Sequence, residues 1–175
     1  MTDIRLRTVA LDPVRAEIAV DLGPWPLDPG DEVRGKLVGP QCRHASTIEI
    51  AYPLRKKPGT ATYHFLIPEP SLWEPDTPFV YSGKIEWLRG DTKLAEATVV
   101  HALFSLKKTA AGWRLNGKPF EPRAIEAAGA VEELPALREQ GFNVLRVAEA
   151  SLALRERAAR IGFLLAGDGD GLRMV

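Results

Sequence analysis

The chain has 175 residues, 45% of them hydrophobic and 26% charged, a balance that excludes a disordered polar chain. Lys+Arg and Asp+Glu both number 23, so a net charge of zero gives no electrostatic basis for binding nucleic acid or an anionic membrane. Cys42 is the only cysteine, which excludes an internal disulfide and a cysteine-based zinc site. Charges at Asp3, Arg5 and Arg7 fall where a signal peptide would need its apolar core, and no apolar run approaches the roughly 20 residues that span a bilayer. The expected location is the cytoplasm.

The first part of the chain is patterned for strands. Ile4, Leu6, Thr8 and Ala10 alternate with polar neighbours, and Val14, Ala16, Ile18 and Val20 do the same after Asp12-Pro13. Residues 23–31 hold three prolines, which lack the amide donor of a ladder, so this stretch is expected to be a loop. Strand-like runs resume at 32–38, 47–51, 60–67, 79–88 and 95–106, with Arg89-Gly90-Asp91 turning between the last two. About seven short strands with frequent turns and no helix predict an antiparallel β-sandwich.

The character changes near residue 110. In residues 112–122, Asn116-Gly117 is the preferred pair for a two-residue turn with positive φ at both positions, so a small hairpin is expected. The remainder reads strand–helix–strand–helix–strand: a strand over 120–125, a helix starting near Glu133 and stopped by Gly141, an apolar strand over 142–148, a helix capped by Ser151 and ended by Gly162, and a continuous apolar strand over 163–167. Pro135 is tolerable only in the first turn of its helix. Residues 1–110 are therefore expected to form one domain, and 111–175 the hairpin with a short βαβαβ segment.

Four motifs carry a resemblance. Ser71-Leu-Trp-Glu-Pro-Asp-Thr-Pro-Phe-Val-Tyr81 resembles a signature late in the immunoglobulin-like domain of glycoside hydrolase family 2, the family of β-galactosidases, β-glucuronidases and β-mannosidases. Leu115-Asn-Gly-Lys-Pro119 is similar to the hairpin that leads into the family's catalytic (β/α)₈ barrel, and Glu139-Gln-Gly-Phe-Asn-Val-Leu-Arg146 to the motif of the second barrel strand. Ala159-Arg-Ile-Gly-Phe163 sits where the family has Asp-x-x-Gly ahead of the third strand. The resemblance implies a mainly β chain: an immunoglobulin-like antiparallel sandwich followed by a truncated (β/α) barrel. It also implies that the barrel segments bearing the family's acid/base glutamate and nucleophile are missing.

The expectation is therefore a non-catalytic relative, a carbohydrate-related binding or scaffolding module. The alternatives are one part of an active or split β-glycosidase whose remaining barrel comes from another chain, and a pure protein-interaction module. Of the family's pocket residues, the resemblance carries over Arg146 and Asn143 as substrate-binding candidates. Arg146 equally fits an ion pair with Glu126 or Glu149.

The residues themselves offer little more. Glu149 and Asp168 fall at the ends of adjacent barrel-like strands, as an acid/base pair or as solvated carboxylates. Asp168-Gly-Asp-Gly171 has the start of a calcium loop without its remaining ligands. Trp25, between two prolines, is the one tryptophan expected on the surface as a sugar platform, whereas Trp73 and Trp87 read as core. The histidines at 44, 64 and 101 have no ligand spacing, and no metal or cofactor is expected. Partners are a carbohydrate or a second protein chain, including a second copy.

Overall fold

A computed structural model describes residues 4–23, 27–126, 131–167 and 172–173. Their contacts divide the chain into two compact units that interleave in sequence. One comprises Met1–Gln41, Thr47–Ser71 and Tyr81–Leu103; the other comprises Cys42–Ser46, Leu72–Val80 and Phe104–Val175.

The strands of the first unit are β1 (Arg5–Leu11), β2 (Arg15–Asp21), β3 (Asp31–Gln41), β4 (Ile50–Pro53), β5 (Arg55–Lys56), β6 (Tyr63–Pro68), β7 (Val80–Arg89) and β8 (Thr92–His101). They form two four-stranded sheets, ordered β1-β2-β6-β5 and β4-β3-β7-β8. The pairs β1/β2, β2/β6, β5/β6, β3/β4 and β7/β8 all run antiparallel. The period of two decides which side chains turn inward. Ala16, Ile18 and Val20 of β2, Phe65 and Ile67 of β6, and Leu37, Ile85 and Trp87 of the other sheet are all buried. Each large apolar side chain so placed contributes roughly 1.5–3 kcal/mol. The expected sandwich is the observed one.

The expected strand 47–51 is strand only from Ile50, and that over 120–125 is interrupted at 121–123; three further details differ from the sequence reading with a visible local cause. Val14 is exposed, because the Asp12 carboxylate accepts from the amides of Val14 and Arg15 (2.8 and 2.9 Å) and makes a turn there. The run 60–67 becomes strand only from Tyr63, since Thr60 and Thr62 are held in a turn by hydrogen bonds to Lys57 and to each other. The run 95–106 is not one strand: β8 stops at His101, and Ser105 is taken by the Asn116 side chain, its amide donating to Oδ1 at 2.9 Å.

Two features fix how closely the first unit packs. A Cβ on Gly83 would lie 1.8 Å from the Lys36 carbonyl oxygen, so β7 approaches β3 at a distance only glycine allows. The imidazole of His101 bonds the Thr8 hydroxyl at 2.8 Å, joining an edge strand of one sheet to an edge strand of the other. Burial pushes its pKa down from 6.5 to about 4, so it is neutral near pH 7.

The second unit begins with a three-stranded antiparallel sheet of β9 (Leu106–Thr109), β10 (Gly112–Leu115) and β11 (Lys118–Phe120), ordered β11-β10-β9. Asn116 and Gly117 have φ of 52° and 79°, the turn expected of this pair. Strands β12 (Ala124–Glu126), β13 (Val144–Arg146) and β14 (Leu164–Ala166) then run parallel, and β15 (Leu172–Arg173) pairs antiparallel with β14. Helix α1 (Leu134–Glu139) carries Pro135 in its first turn. Helix α2 (Leu152–Ile161) is capped by Ser151, whose hydroxyl accepts from the Leu154 amide at 3.2 Å, and ends at Gly162 with φ 104°. One face of the parallel strands, Leu145 and Leu165, packs with Leu134, Leu154, Ala158, Ile161 and Phe163. Val144 and Leu164, which point the other way, are fully buried too. Among the described residues no helix is long and apolar enough to cross a membrane.

Two outcomes follow from the packing of the first unit. Gly83→Ala should lower unfolding stability by about 3 kcal/mol, read as a reduced urea midpoint, because backbone stands where the methyl would go. His101 binds a proton more readily in the unfolded chain, so stability rises with pH between about 4 and 6.5 and is lost as pH falls through that window, by up to roughly 3 kcal/mol. Denaturation at pH 7 and pH 4.5 should show that slope, and His101→Gln should flatten it.

Candidate functional site

In parallel sheets with crossover helices, ligand chemistry gathers at the C-terminal ends of the strands. Here that rim is built by Glu126 at the end of β12 and Arg146 at the end of β13, which are register partners, with Glu149 three residues beyond. All three are exposed. Neighbouring register positions point to the same face, so Glu126 and Arg146 stand side by side rather than across a space. Even so, the Arg146 side chain makes no ion pair or hydrogen bond with either glutamate or with any other described residue. The ion pair that the sequence allowed for Arg146 is not formed. The Ala166 position, next in that row, is apolar and buried.

Asn143 lies at the other end of the same strand. Its Oδ1 accepts from the Arg123 amide at 2.7 Å, and its Nδ2 donates to the Glu121 carbonyl at 3.0 Å. Both polar atoms of the amide are thus spent on the backbone that leads into β12. Asn143 and Arg146 are separated by about 10 Å of strand, so the structure does not bring together the two residues carried over by the resemblance. Trp25 and Asp168 lie outside the described residues.

The N-terminal ends of the parallel strands border an open groove of about 420 Å³, lined in part by Glu74, Asp76, Lys118, Phe120, Arg123 and Arg138. No sequence spacing announced it, because its wall comes from three separated segments. Its charges mostly neutralise one another. Lys118 Nζ lies 2.8 Å from Glu74 Oε1, Arg138 Nη2 lies 2.5 Å from Asp76 Oδ1, and Arg123 Nη2 lies 3.9 Å from Glu121 Oε2. Arg138 also donates from Nη1 to the Phe142 carbonyl at 3.2 Å, and its Nε is buried without a partner. Arg138 thus braces the approach to β13. Among the described residues no three histidine, cysteine, aspartate or glutamate side chains are grouped to hold a metal.

The geometry assigns Asn143 to bracing. Asn143→Ala should cost about 1–2 kcal/mol in a denaturant titration for the two lost bonds, while any ligand affinity that depends on Arg146 stays unchanged.

No family model and no curated protein matches the sequence. Among solved structures, a beta-glycosidase from Bacteroides vulgatus is similar with a TM-score of 0.65 at 18% identity, covering 95% of this chain and 23% of its own. A glycosyl hydrolase family 2 member from Bacteroides cellulosilyticus DSM 14838 gives 0.64 at 21% identity, over 95% of this chain and 26% of its own. An FMN-binding beta-glucuronidase from Facaelibacterium prausnitzii L2-6 gives 0.66 at 18% identity, over 93% and 27%. The chain thus spans about a quarter of the length of these enzymes. It has the fold of that portion of the family 2 β-glycosidases: a β-sandwich with the first strands and helices of a (β/α) barrel.

Proposed function

We propose that these residues form a non-catalytic module of the glycoside hydrolase family 2 type, binding a carbohydrate or serving as a scaffold through the rim that carries Arg146. Residues 1–110 act as the immunoglobulin-like part and 111–175 as the start of a barrel. The observation that carries the reading is the state of the rim. Retaining glycosidases need two carboxyl groups about 5–5.5 Å apart across the scissile bond, one of them with a raised pKa. Raising it takes burial in apolar surroundings. Glu126 and Glu149 are exposed instead. Arg146, exposed and without an ion-pair partner among the described residues, presents a planar fork of donors that matches a sugar carboxylate or a pair of hydroxyls.

The purified chain should show no turnover of chromogenic β-glucuronides or β-galactosides above the buffer rate. In NMR titrations, the backbone amides around residue 146 should shift on adding glucuronic acid, and Arg146→Ala should remove the shift. Turnover that disappears in Glu149→Gln would overturn the non-catalytic reading. Shifts that persist in Arg146→Ala would overturn the assigned rim.

A further inference from the structure

The last strand of an open sheet leaves a row of amide and carbonyl groups without partners, and such an edge recruits any extended segment it meets. In the order β12-β13-β14-β15, strand β14 is bounded on one side by β13, through Val144↔Leu164, Leu145↔Leu165 and Arg146↔Ala166. Its other side is taken by β15, through Leu165↔Arg173 and Ala166↔Leu172. The sense of that pairing is decisive. A parallel neighbour requires a crossover of a dozen or more residues. Only Gly167-Asp-Gly-Asp-Gly171 separates β14 from β15, so the chain can return only antiparallel. Both faces of β14 are already filled, by Leu164 and by Leu165, which leaves its outer edge as the one direction in which the parallel sheet could grow on that side.

We propose that β15 is a built-in edge cap. It occupies the place where a further parallel strand from a second copy of this chain would have to dock. It thereby holds the second unit in a form that does not extend at β14. The proposal stands apart from the sugar-binding reading: it concerns backbone pairing at β14, and the Arg146 rim plays no part in it.

The test removes the cap without shortening the chain. Leu172→Pro/Arg173→Pro eliminates both amide donors of β15. The variant is expected to self-associate about tenfold more tightly than the unchanged chain in sedimentation experiments, with its amides at 164–166 exposed to hydrogen exchange at low concentration and protected again on association. Identical sedimentation of the two folded proteins at every concentration would overturn the cap. Should the double proline variant fail to fold, Cys42→Ser/Ala166→Cys/Leu172→Cys tests the same placement, because positions 166 and 172 are register partners. Ready formation of an intramolecular disulfide is the expected result, and a persistently free pair of thiols would refute the pairing.

Discussion

Trp73 holds the second unit together. Its indole Nε1 donates to the Ala159 carbonyl at 2.8 Å, its own carbonyl accepts from Asn116 Nδ2 at 2.9 Å, and its ring meets Phe104 with centroids 5.7 Å apart. The Ala159 carbonyl is one of the last of helix α2, a group with no partner inside the helix, so a distant side chain completes the cap that Gly162 begins. At Gly162 a Cβ would lie 2.1 Å from the Pro75 carbonyl oxygen, and φ there is 104°, so only glycine permits this helix end to sit against the 72–80 segment. One side chain thus joins the segment after β6, the β10–β11 hairpin and helix α2. The parallel strands inherit their positions from that junction through the core around Leu145, Leu165 and Phe163.

From this junction follows a division of labour along β13. Its N-terminal end is rigid and spent: Asn143 and Arg138 tie backbone to backbone, and the charges beside them pair with Glu74 and Asp76 in its neighbourhood. Its C-terminal end is open, with Arg146 and two glutamates facing water. In barrel proteins at large, stability resides at the N-terminal ends of the strands and chemistry at the C-terminal ends. Among the described residues, Glu126, Arg146 and Glu149 of this rim are exposed rather than enclosed. A charge surrounded by water is screened, whereas catalytic carboxylates depend on surroundings that shift their protonation.

Much of this architecture was legible in the sequence because it rests on local physics. Period-two alternation gave the inner faces of β2 and β6, Asn116-Gly117 gave the hairpin, and Ser151 with Gly162 gave both ends of α2. What escaped was decided by distant partners. Nothing near Ser105 indicates that the strand must break there, since the cause is the Asn116 side chain eleven residues on. Strand β9 is defined only by its pairing with β10, and the groove only by segments that meet in space. The site was the least legible part: sequence motifs placed Asn143 and Arg146 in one group, whereas Asn143 is bonded to backbone at one end of the strand and Arg146 is exposed at the other.

The bond from Trp73 to Ala159 spans 86 residues of chain, so the second unit cannot close in the order in which it is made. At a synthesis rate of 5–20 residues per second, the large apolar ring of Trp73 leaves the ribosome about 4–17 s before the helix end that will shelter it exists. Strands β7 and β8 are made during the first third of that interval. The shelter of this one indole is therefore completed only when the end of α2 is made.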